Sequence, residues 1–233
     1  VKLYLALNGA LHDAAIVSWG NKRVYDGPRP YTLVRHMATL GQSSDAGLPS
    51  YHPQGLPLVP GLIELITVVT TAPGERHAHL AGQEGEIAIL GCPRQPLNIE
   101  EDHGGVGFIL GKDFVPYQRA TFVTPAFPGY VSGHSTFSRA AAEILTAITG
   151  DPFVPGGLGS FTANPDYLVF EAGPTTPVTI NWATYRDAAD LAGRSRIWGG
   201  IHIYDDDFGG RRAGSEVGMT AWQRASALFA GTP

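Results

Sequence analysis

The stretch "GYVSGHSTFSRAAAEIL", residues 129–145, decides how this sequence is interpreted. From Phe137 to Ile148, apolar residues recur three and four positions apart, which is the spacing of one face of an α-helix. The pattern predicts a helix over residues 133–149, and a glycine at position 150 is typical of a helix end.

A small hydroxyl residue, a glycine and a histidine stand at the mouth of this helix. Ser132 or Ser135 can cap its N-terminus. Unpaired N–H groups and a partial positive charge suit an anion there, and Gly133 lets an oxyanion approach because it has no Cβ. His134 would then project toward that anion. The alternative is a capped helix with an incidental histidine, and this stretch alone does not decide between the two.

The composition indicates a globular protein without a nucleic-acid surface. The 233 residues are 43% hydrophobic and 16% charged, with a formal net charge of −5, so a basic face for nucleic acid is not expected. Cys92 is the only cysteine, which excludes an internal disulfide. No apolar run approaches the roughly 18 residues that a membrane-spanning helix needs. We therefore expect neither nucleic acid as a partner nor a membrane span.

The chain begins inside an apparent helix, with Val1 rather than Met. We expect one helical domain over residues 1–233 that forms the C-terminal part of a longer precursor. An N-terminal fragment of that precursor, or a second copy of the chain, is an expected partner. The compartment is left open, with an inclination toward a secreted or periplasmic location.

The other helices follow from apolar periodicity and from Gly and Pro positions. Besides residues 133–149, they are predicted over residues 1–20, 30–40, 60–71, 183–198 and 210–229. The segment 60–71 is ambiguous between helix and strand, and we favour a helix.

The remaining chain is expected to consist of long loops and a minor β element. Residues 41–61 form a Gly/Pro/Ser loop, and residues 72–130 are irregular around a short "VGFILGKDF" segment. Two β-like runs, Tyr167–Phe170 and Val178–Asn181, could pair as a hairpin. The predicted class is mainly α, with long loops and a minor β-hairpin.

Basic residues occupy positions that call for an explanation. Arg196 falls on the apolar face of its predicted helix, and a buried guanidinium requires an acidic partner or a bound anion. An ordinary ion pair with one of Asp205–Asp207 would satisfy it. Lys22 and Arg29 stand at the two ends of a Pro-containing turn, where such residues are usually solvated.

Three motifs together resemble the signature of the type 2 phosphatidic acid phosphatase and vanadium haloperoxidase superfamily. The pattern K-x6-R-P … S-G-H … S-R-x5-H-x3-D is kept at every spacing, and Val131 departs from the usual proline. The positions are filled by Lys22, Arg29, Pro30, Ser132, Gly133, His134, Ser195, Arg196, His202 and Asp206. The stretches "DAAIVSWGNK" and "RIWGGIH" are similar to the bacterial haloperoxidase-like branch. The resemblance implies a helical bundle of the vanadium haloperoxidase/acid phosphatase type.

The resemblance also implies a role for each motif residue, all converging on one pocket. The equatorial oxygens of an oxyanion would be held by Lys22, Arg29, Arg196, the Ser132 hydroxyl and the Gly133 N–H. His202 would be the axial ligand and the single side chain bonded to the metal, and Asp206 would set its tautomer. His134 would act as general acid or base on the opposite side.

The implied activity is that of a vanadate-dependent haloperoxidase, an enzyme that oxidises halide with hydrogen peroxide at a His-bound vanadate. Lys22 would polarise the bound peroxide, and an organic acceptor could take the halogen. The alternative is an acid phosphatase that hydrolyses phosphomonoesters through a phosphohistidine on His202, because phosphate could occupy the same site. A third interpretation is an oxyanion-binding relic without activity, against which the intact motif set argues.

Two aromatic residues and two further histidines bear on the site. In the family, aromatics at positions similar to Trp19 and Phe127 line the halide side of the pocket, although both could equally be core residues here. His77 and His79 stand two residues apart without a carboxylate or cysteine cluster in sequence. We interpret these histidines as solvated loop residues rather than as metal ligands.

Overall fold

The computed structural model describes residues 1–93, 105–168 and 173–232. Within these residues it contains five α-helices and five short strands. The helices are α1 (Lys2–Tyr25), α2 (Pro30–Leu40), α3 (Gly133–Thr149), α4 (Tyr185–Trp198) and α5 (Tyr204–Phe229). The strands are β1 (Ile63–Leu65), β2 (Ile87–Gly91), β3 (Gly107–Leu110), β4 (Gly159–Ala163) and β5 (Val178–Trp182). The mainly α class with a minor β component is confirmed.

The chain divides into two compact units. The helical unit comprises Val1–Gly27, Phe127–Trp198 and His202–Pro233, and the sheet unit comprises Pro28–Ala126 and Gly199–Ile201. None of the described helices combines the length and the apolar character that crossing a bilayer requires. The domain boundaries 1–233 and the longer precursor stay predictions.

The helical unit is built around α3, which packs against α1, α4 and α5. Its core consists largely of alanines, with Ile144 as the large buried side chain. Along α1 a buried line of small residues, Ala6, Ala10, Ala14 and Ser18, leads to Lys22 at the last turn. Small side chains allow the helices to approach closely, so the buried line of α1 carries a lysine into the unit.

The last helix begins at Tyr204, six residues before the predicted start at 210. The helix includes Gly209 and Gly210, and both are buried. A Cβ at Gly210 would lie 2.7 Å from the Ser132 carbonyl oxygen, so the glycine allows α5 to pack on the backbone at the start of α3. Tertiary packing therefore overrides the poor helix propensity of glycine.

The sheet unit contains α2 and an antiparallel sheet in the order β1-β2-β3. Ile63 pairs with Ile89, and Ile89 pairs with Ile109, so both neighbours of β2 are distant in sequence. The predicted helix over 60–71 is wrong, and the irregular assignment of 72–130 missed β2 and β3. Residues 60–71 are rich in β-branched side chains, which pack well on a pleated sheet and lose side-chain freedom in a helix.

The predicted hairpin is confirmed for one strand and wrong for its partner. β5 pairs with β4 over its whole length, with Phe161 opposite Ile180. The hydroxyls of Thr162 and Thr179 lie 2.8 Å apart across this pair. Of the expected partner run Tyr167–Phe170, positions 169 and 170 lie outside the described residues, and Tyr167 itself follows a turn rather than lying in a strand.

His77 corrects a second prediction in the sheet unit. Its side chain is fully buried, not solvated, and its Nδ1 lies 3.1 Å from the Thr70 hydroxyl. Nε2 lies 3.2 Å from a carboxylate oxygen of Glu64, and the ring packs edge-on against Phe108. His79 is exposed as expected, with Nε2 2.7 Å from the Phe108 carbonyl oxygen.

Candidate functional site

Lys22 lies on the buried line of α1 with only 2% of its surface exposed. Its ammonium donates to the carbonyl oxygens of Pro128 and Gly129, both at 2.8 Å. Burying a cation is costly unless polar groups surround it, and these two carbonyls form part of that surround. The lysine is thus fixed beside the segment that leads into α3.

The mouth of α3 is formed by the residues that the sequence indicated. Ser132 is the N-cap, and its hydroxyl accepts from the Ser135 backbone N–H at 3.4 Å. The Ser132 N–H in turn donates to the main-chain carbonyl of Asp206 at 2.9 Å, which joins the starts of α3 and α5. The three atoms nearest to a Cβ at Gly133 would be ring atoms of Trp19 and Phe137, at the ordinary contact distances of 3.5–3.7 Å. Protein packing alone therefore does not require glycine at this position.

His202 and Asp206 form a buried pair at the start of α5. Nδ1 of His202 lies 2.8 Å from Oδ2 of Asp206, and the two residues are 6% and 3% exposed. Because an ionised carboxylate only accepts, this bond places the imidazole proton on Nδ1 and the lone pair on Nε2. The same Asp206 oxygen accepts from the Ile203 backbone N–H at 3.3 Å, which holds the carboxylate at the helix start.

His134 is an exposed residue on the first turn of α3. Partial burial of its ring lowers the pKa of His134, and electrostatic interactions with the nearby Arg196 and His202 lower it further. The imidazole is therefore neutral near pH 7 in the protein alone. A bound anion would act in the opposite direction, because it stabilises imidazolium.

Arg196 is half-buried near the end of α4. Its spacing places it on the same helix face as the buried Ala189 and Gly193. Burial lowers the pKa of its guanidinium, although an arginine stays charged at any physiological pH. The sequence allowed an ion pair between Arg196 and one of Asp205–Asp207. In the structure, the side chains of Asp206 and Asp207 accept hydrogen bonds from His202 and Arg211, respectively. Arg196 contributes positive charge on the side of His134.

Arg29 and Pro30 are the two motif residues that lie in the sheet unit. It precedes α2 as the residue before Pro30 and is 4% exposed. One guanidinium nitrogen donates to the Ile201 carbonyl at 2.8 Å, within the same unit. The other motif residues lie in the helical unit, and the assignment of Arg29 to the site stays a prediction from the motif.

Trp19 and Phe127 are not core residues, because 47% and 42% of their surfaces are exposed. Their ring centroids lie 5.5 Å apart, and the Lys22 ammonium lies 5.9 Å and 5.4 Å from them. A cation near aromatic ring faces is stabilised by their quadrupoles. The two rings therefore flank the lysine and form a partly exposed aromatic wall.

Sequence reasoning missed the importance of Asp207 and Ser135. Asp207 belongs to none of the three motifs, but it is 1% exposed and accepts from the Ser135 hydroxyl at 2.6 Å. Its spacing of four residues from Arg211 was an available signal for an ion pair on one helix face. The contact with α3 carries no such signal, because the two residues are 72 positions apart.

The donor set suits an oxyanion better than a bare metal cation. Within the described residues, no group of three or more His, Cys, Asp and Glu side chains could hold a metal ion. The site instead offers cations, a helix N-terminus and one histidine whose Nδ1 is held by a carboxylate. Such groups fit vanadate or phosphate, which are bound by positive charge and N–H donors.

Comparisons with known proteins agree with this fold. Two solved structures of a bacterial vanadium-dependent chloroperoxidase, apo and holo, each match 95% of this chain with a TM-score of 0.62 and 16% identity. The chain spans 36% and 35% of those two chains, about a third of their length. A bacterial vanadium-dependent iodoperoxidase matches 49% of this chain and 24% of its own, at 29% identity and a TM-score of 0.37. Among curated proteins, none matches the chain.

The family assignment rests on a direct match of the sequence. The family model of the VCPO second helical-bundle domain matches residues 2–46 and 98–231, which is well over half of the chain. The matched ranges include all three motifs that the sequence analysis identified. The chain therefore belongs to the VCPO second helical-bundle domain family of the vanadium haloperoxidase superfamily.

Proposed function

We propose that this protein is a vanadate-dependent haloperoxidase that oxidises halide with hydrogen peroxide. The observation that carries the proposal is the buried His202, held through Nδ1 by Asp206, beside a helix N-terminus whose Ser132 N–H bonds the Asp206 carbonyl. By the motif match, Nε2 of His202 would be the atom that holds the anion. Family membership supports it, as does the fold similarity to the two structures of a bacterial vanadium-dependent chloroperoxidase.

The chain's own residues supply binding and orientation. The negative charge would be neutralised by Lys22 and Arg196, while the Ser132 hydroxyl and the Gly133 N–H would donate to the oxygens. The motif match adds Arg29 to this set. Bound vanadate would supply Lewis-acid activation of hydrogen peroxide.

His134 would move the proton. Because its pKa is lowered in the protein alone, the neutral imidazole is present near pH 7 and accepts a proton from hydrogen peroxide. The exposed Trp19 and Phe127 wall beside Lys22 would form the side from which a halide arrives. An organic acceptor would approach from the same side.

A single preparation tests this function against the acid phosphatase alternative. The protein is loaded with vanadate, dialysed and analysed for vanadium, and the same sample is assayed for bromide-dependent halogenation and for phosphomonoester hydrolysis. We expect stoichiometric vanadium and halogenation that inorganic phosphate inhibits by competition. Phosphatase activity without vanadium retention would instead establish the alternative.

Two arginines on α4 offer a matched control. Arg196 is half-buried near His134, whereas Arg194 is exposed on the same helix. Arg196→Gln should weaken vanadate binding by about 1.5–3 kcal/mol, the usual contribution of a charge-assisted hydrogen bond. Arg194→Gln should leave vanadium content unchanged, and an equal loss in both variants would contradict the proposed site.

A further inference from the structure

A buried hydrogen bond joins the first turns of α3 and α5 behind the candidate site. The Ser135 hydroxyl on α3 donates to Oδ1 of Asp207 on α5 at 2.6 Å, and each residue is 1% exposed. Arg211, one turn further along α5, donates from Nε to Oδ1 at 3.0 Å and from Nη2 to Oδ2 at 2.6 Å. The Arg211 guanidinium therefore fixes the plane of the Asp207 carboxylate, which accepts the hydrogen bond from the Ser135 hydroxyl.

The same contacts continue through α4 and return to α3. Nη1 of Arg211 lies 2.7 Å from Oδ2 of Asp190 on α4, and Nη2 of Arg139 on α3 lies 2.5 Å from Oδ1 of Asp190. These contacts thus form a path over three helices that starts on α3 and returns to it four residues later. We call this path the polar ring, and its members are Ser135, Asp207, Arg211, Asp190 and Arg139. Hydrogen bonds to charged groups are directional and strong when buried, so the polar ring sets the helices relative to one another.

The buried end of the polar ring adjoins the motif residues on both helices. Ser135 directly follows His134, and Asp207 directly follows Asp206. The Asp206 carbonyl also accepts from the Ser132 N–H at 2.9 Å. Two hydrogen bonds, one from the backbone and one from a side chain, therefore join the turn that carries Ser132–His134 to the start of α5.

The α4 backbone packs directly against this bond. A Cβ at Gly193 would overlap Oδ1 of Asp207 and would lie 2.9 Å from the Ser135 hydroxyl oxygen. A side chain at position 193 would therefore clash with this bond. The helix that packs on the bond also carries Arg196.

We propose that Ser135 and Asp207 are positioning residues of the oxyanion site, which hold the Ser132–His134 turn of α3 against the His202-bearing start of α5. The inference rests on the proposed oxyanion-binding function. Donors of an oxyanion site act only within a narrow range of distance, so a small displacement of one turn weakens binding.

The helical unit contains a second network that serves as a control. Glu143, two turns after Ser135 on α3, accepts from Ser215 Oγ on α5 at 3.0 Å and from Arg186 Nη2 on α4 at 2.7 Å. It joins the same three helices with the same hydroxyl-to-carboxylate chemistry, but away from the motifs. Ser215→Ala therefore removes the same kind of hydroxyl-to-carboxylate bond as Ser135→Ala, at a half-buried rather than a fully buried position.

The test measures binding of inorganic phosphate and of inorganic vanadate to the full chain by calorimetry, together with thermal unfolding. Ser135→Ala should weaken phosphate binding roughly tenfold, the lower end of the effect of partners that orient a ligand. Ser215→Ala should bind phosphate like wild type while lowering Tm to a similar extent. The Gly133 amide signal in a ¹H–¹⁵N spectrum should shift less on phosphate addition in Ser135→Ala than in Ser215→Ala.

Asp207→Asn is the second variant. It keeps an oxygen acceptor for the Ser135 hydroxyl but weakens the contact with Arg211. Like Ser135→Ala, it should weaken phosphate binding. If both variants near the motif bind phosphate and vanadate like wild type, the positioning role is overturned while the proposed function stands. If wild type binds neither anion, both the proposed function and this inference fail.

Discussion

Each unit buries a histidine beside a carboxylate, but the surroundings of the two pairs differ. In the sheet unit, both ring nitrogens of His77 face internal partners, Thr70 and Glu64. Glu64 also pairs with Arg76 at 2.6 Å, which satisfies the carboxylate locally. In the helical unit, Asp206 accepts from Nδ1 of His202, and the pair lies beside the N-terminus of α3, where the Ser132 N–H donates to the Asp206 carbonyl. A buried His–carboxylate pair alone does not make a site, and the helix N-terminus beside the second pair distinguishes it from the first.

The largest expected difference between the two pairs concerns vanadate binding. His202→Ala removes the proposed axial ligand and should abolish retention of vanadium after dialysis. His77→Ala should retain vanadium fully, while it destabilises the fold by about 1–3 kcal/mol because it leaves buried polar groups unsatisfied. Vanadium analysis and chemical unfolding of both variants check this. Wild-type vanadium affinity in His202→Ala would exclude it as the ligand.

The next prediction separates proton transfer from binding at the same site. His134→Ala should keep most oxyanion affinity while bromide-dependent turnover falls by roughly 10²–10⁴-fold, the usual contribution of a general acid or base. His12, exposed on α1 of the same unit, supplies the control His12→Ala. Turnover is measured at equal vanadium loading. A His134→Ala variant as active as His12→Ala would leave the residue as a bystander at the helix mouth.

A smaller effect is expected from the carboxylates of the two pairs. Asp206→Asn removes the anionic acceptor that sets the His202 tautomer and should weaken vanadate binding about 10–100-fold. Glu64→Gln makes the matching change beside His77 and should leave vanadate affinity unchanged. Direct titration with vanadate distinguishes the two variants, and equal affinities would mean that the Asp206 contact only stabilises α5.

The smallest prediction is a pKa shift. In the protein alone, the pKa values of both His134 and His77 are lowered, chiefly by burial, so both should titrate below 6.5. Because folding disfavours protonation, both support stability above pH 6.5 and lose that contribution as pH falls through the lowered values. Saturating phosphate should raise the pKa of His134 and leave that of His77 unchanged. Titration of the histidine ring signals in ¹H–¹³C spectra measures both pKa values. A pKa of His134 that does not change with phosphate would argue against an anion bound near this residue.

Helix ends were predictable where local residues specify them. The predicted bounds of α2 and α3 agree with the structure because Pro30 occupies the first helical position and Gly150 adopts a left-handed conformation with φ of 74°. Both are properties of single residues. The three-stranded sheet was missed because β2 pairs with segments some 20 residues away on either side, which no local pattern reports.

The sequence by itself determined the mainly helical class, the main helices and the three motifs, since periodicity, caps and spacing are properties of the chain. Only the tertiary structure decided which polar residues are buried: Lys22 among carbonyls, His77 beside Glu64, and Asp207 against Ser135. Each of these contacts joins residues distant in sequence. Burial depends on which distant segment arrives as a neighbour, and the free energy of a charged group depends on that neighbour rather than on its own place in the chain.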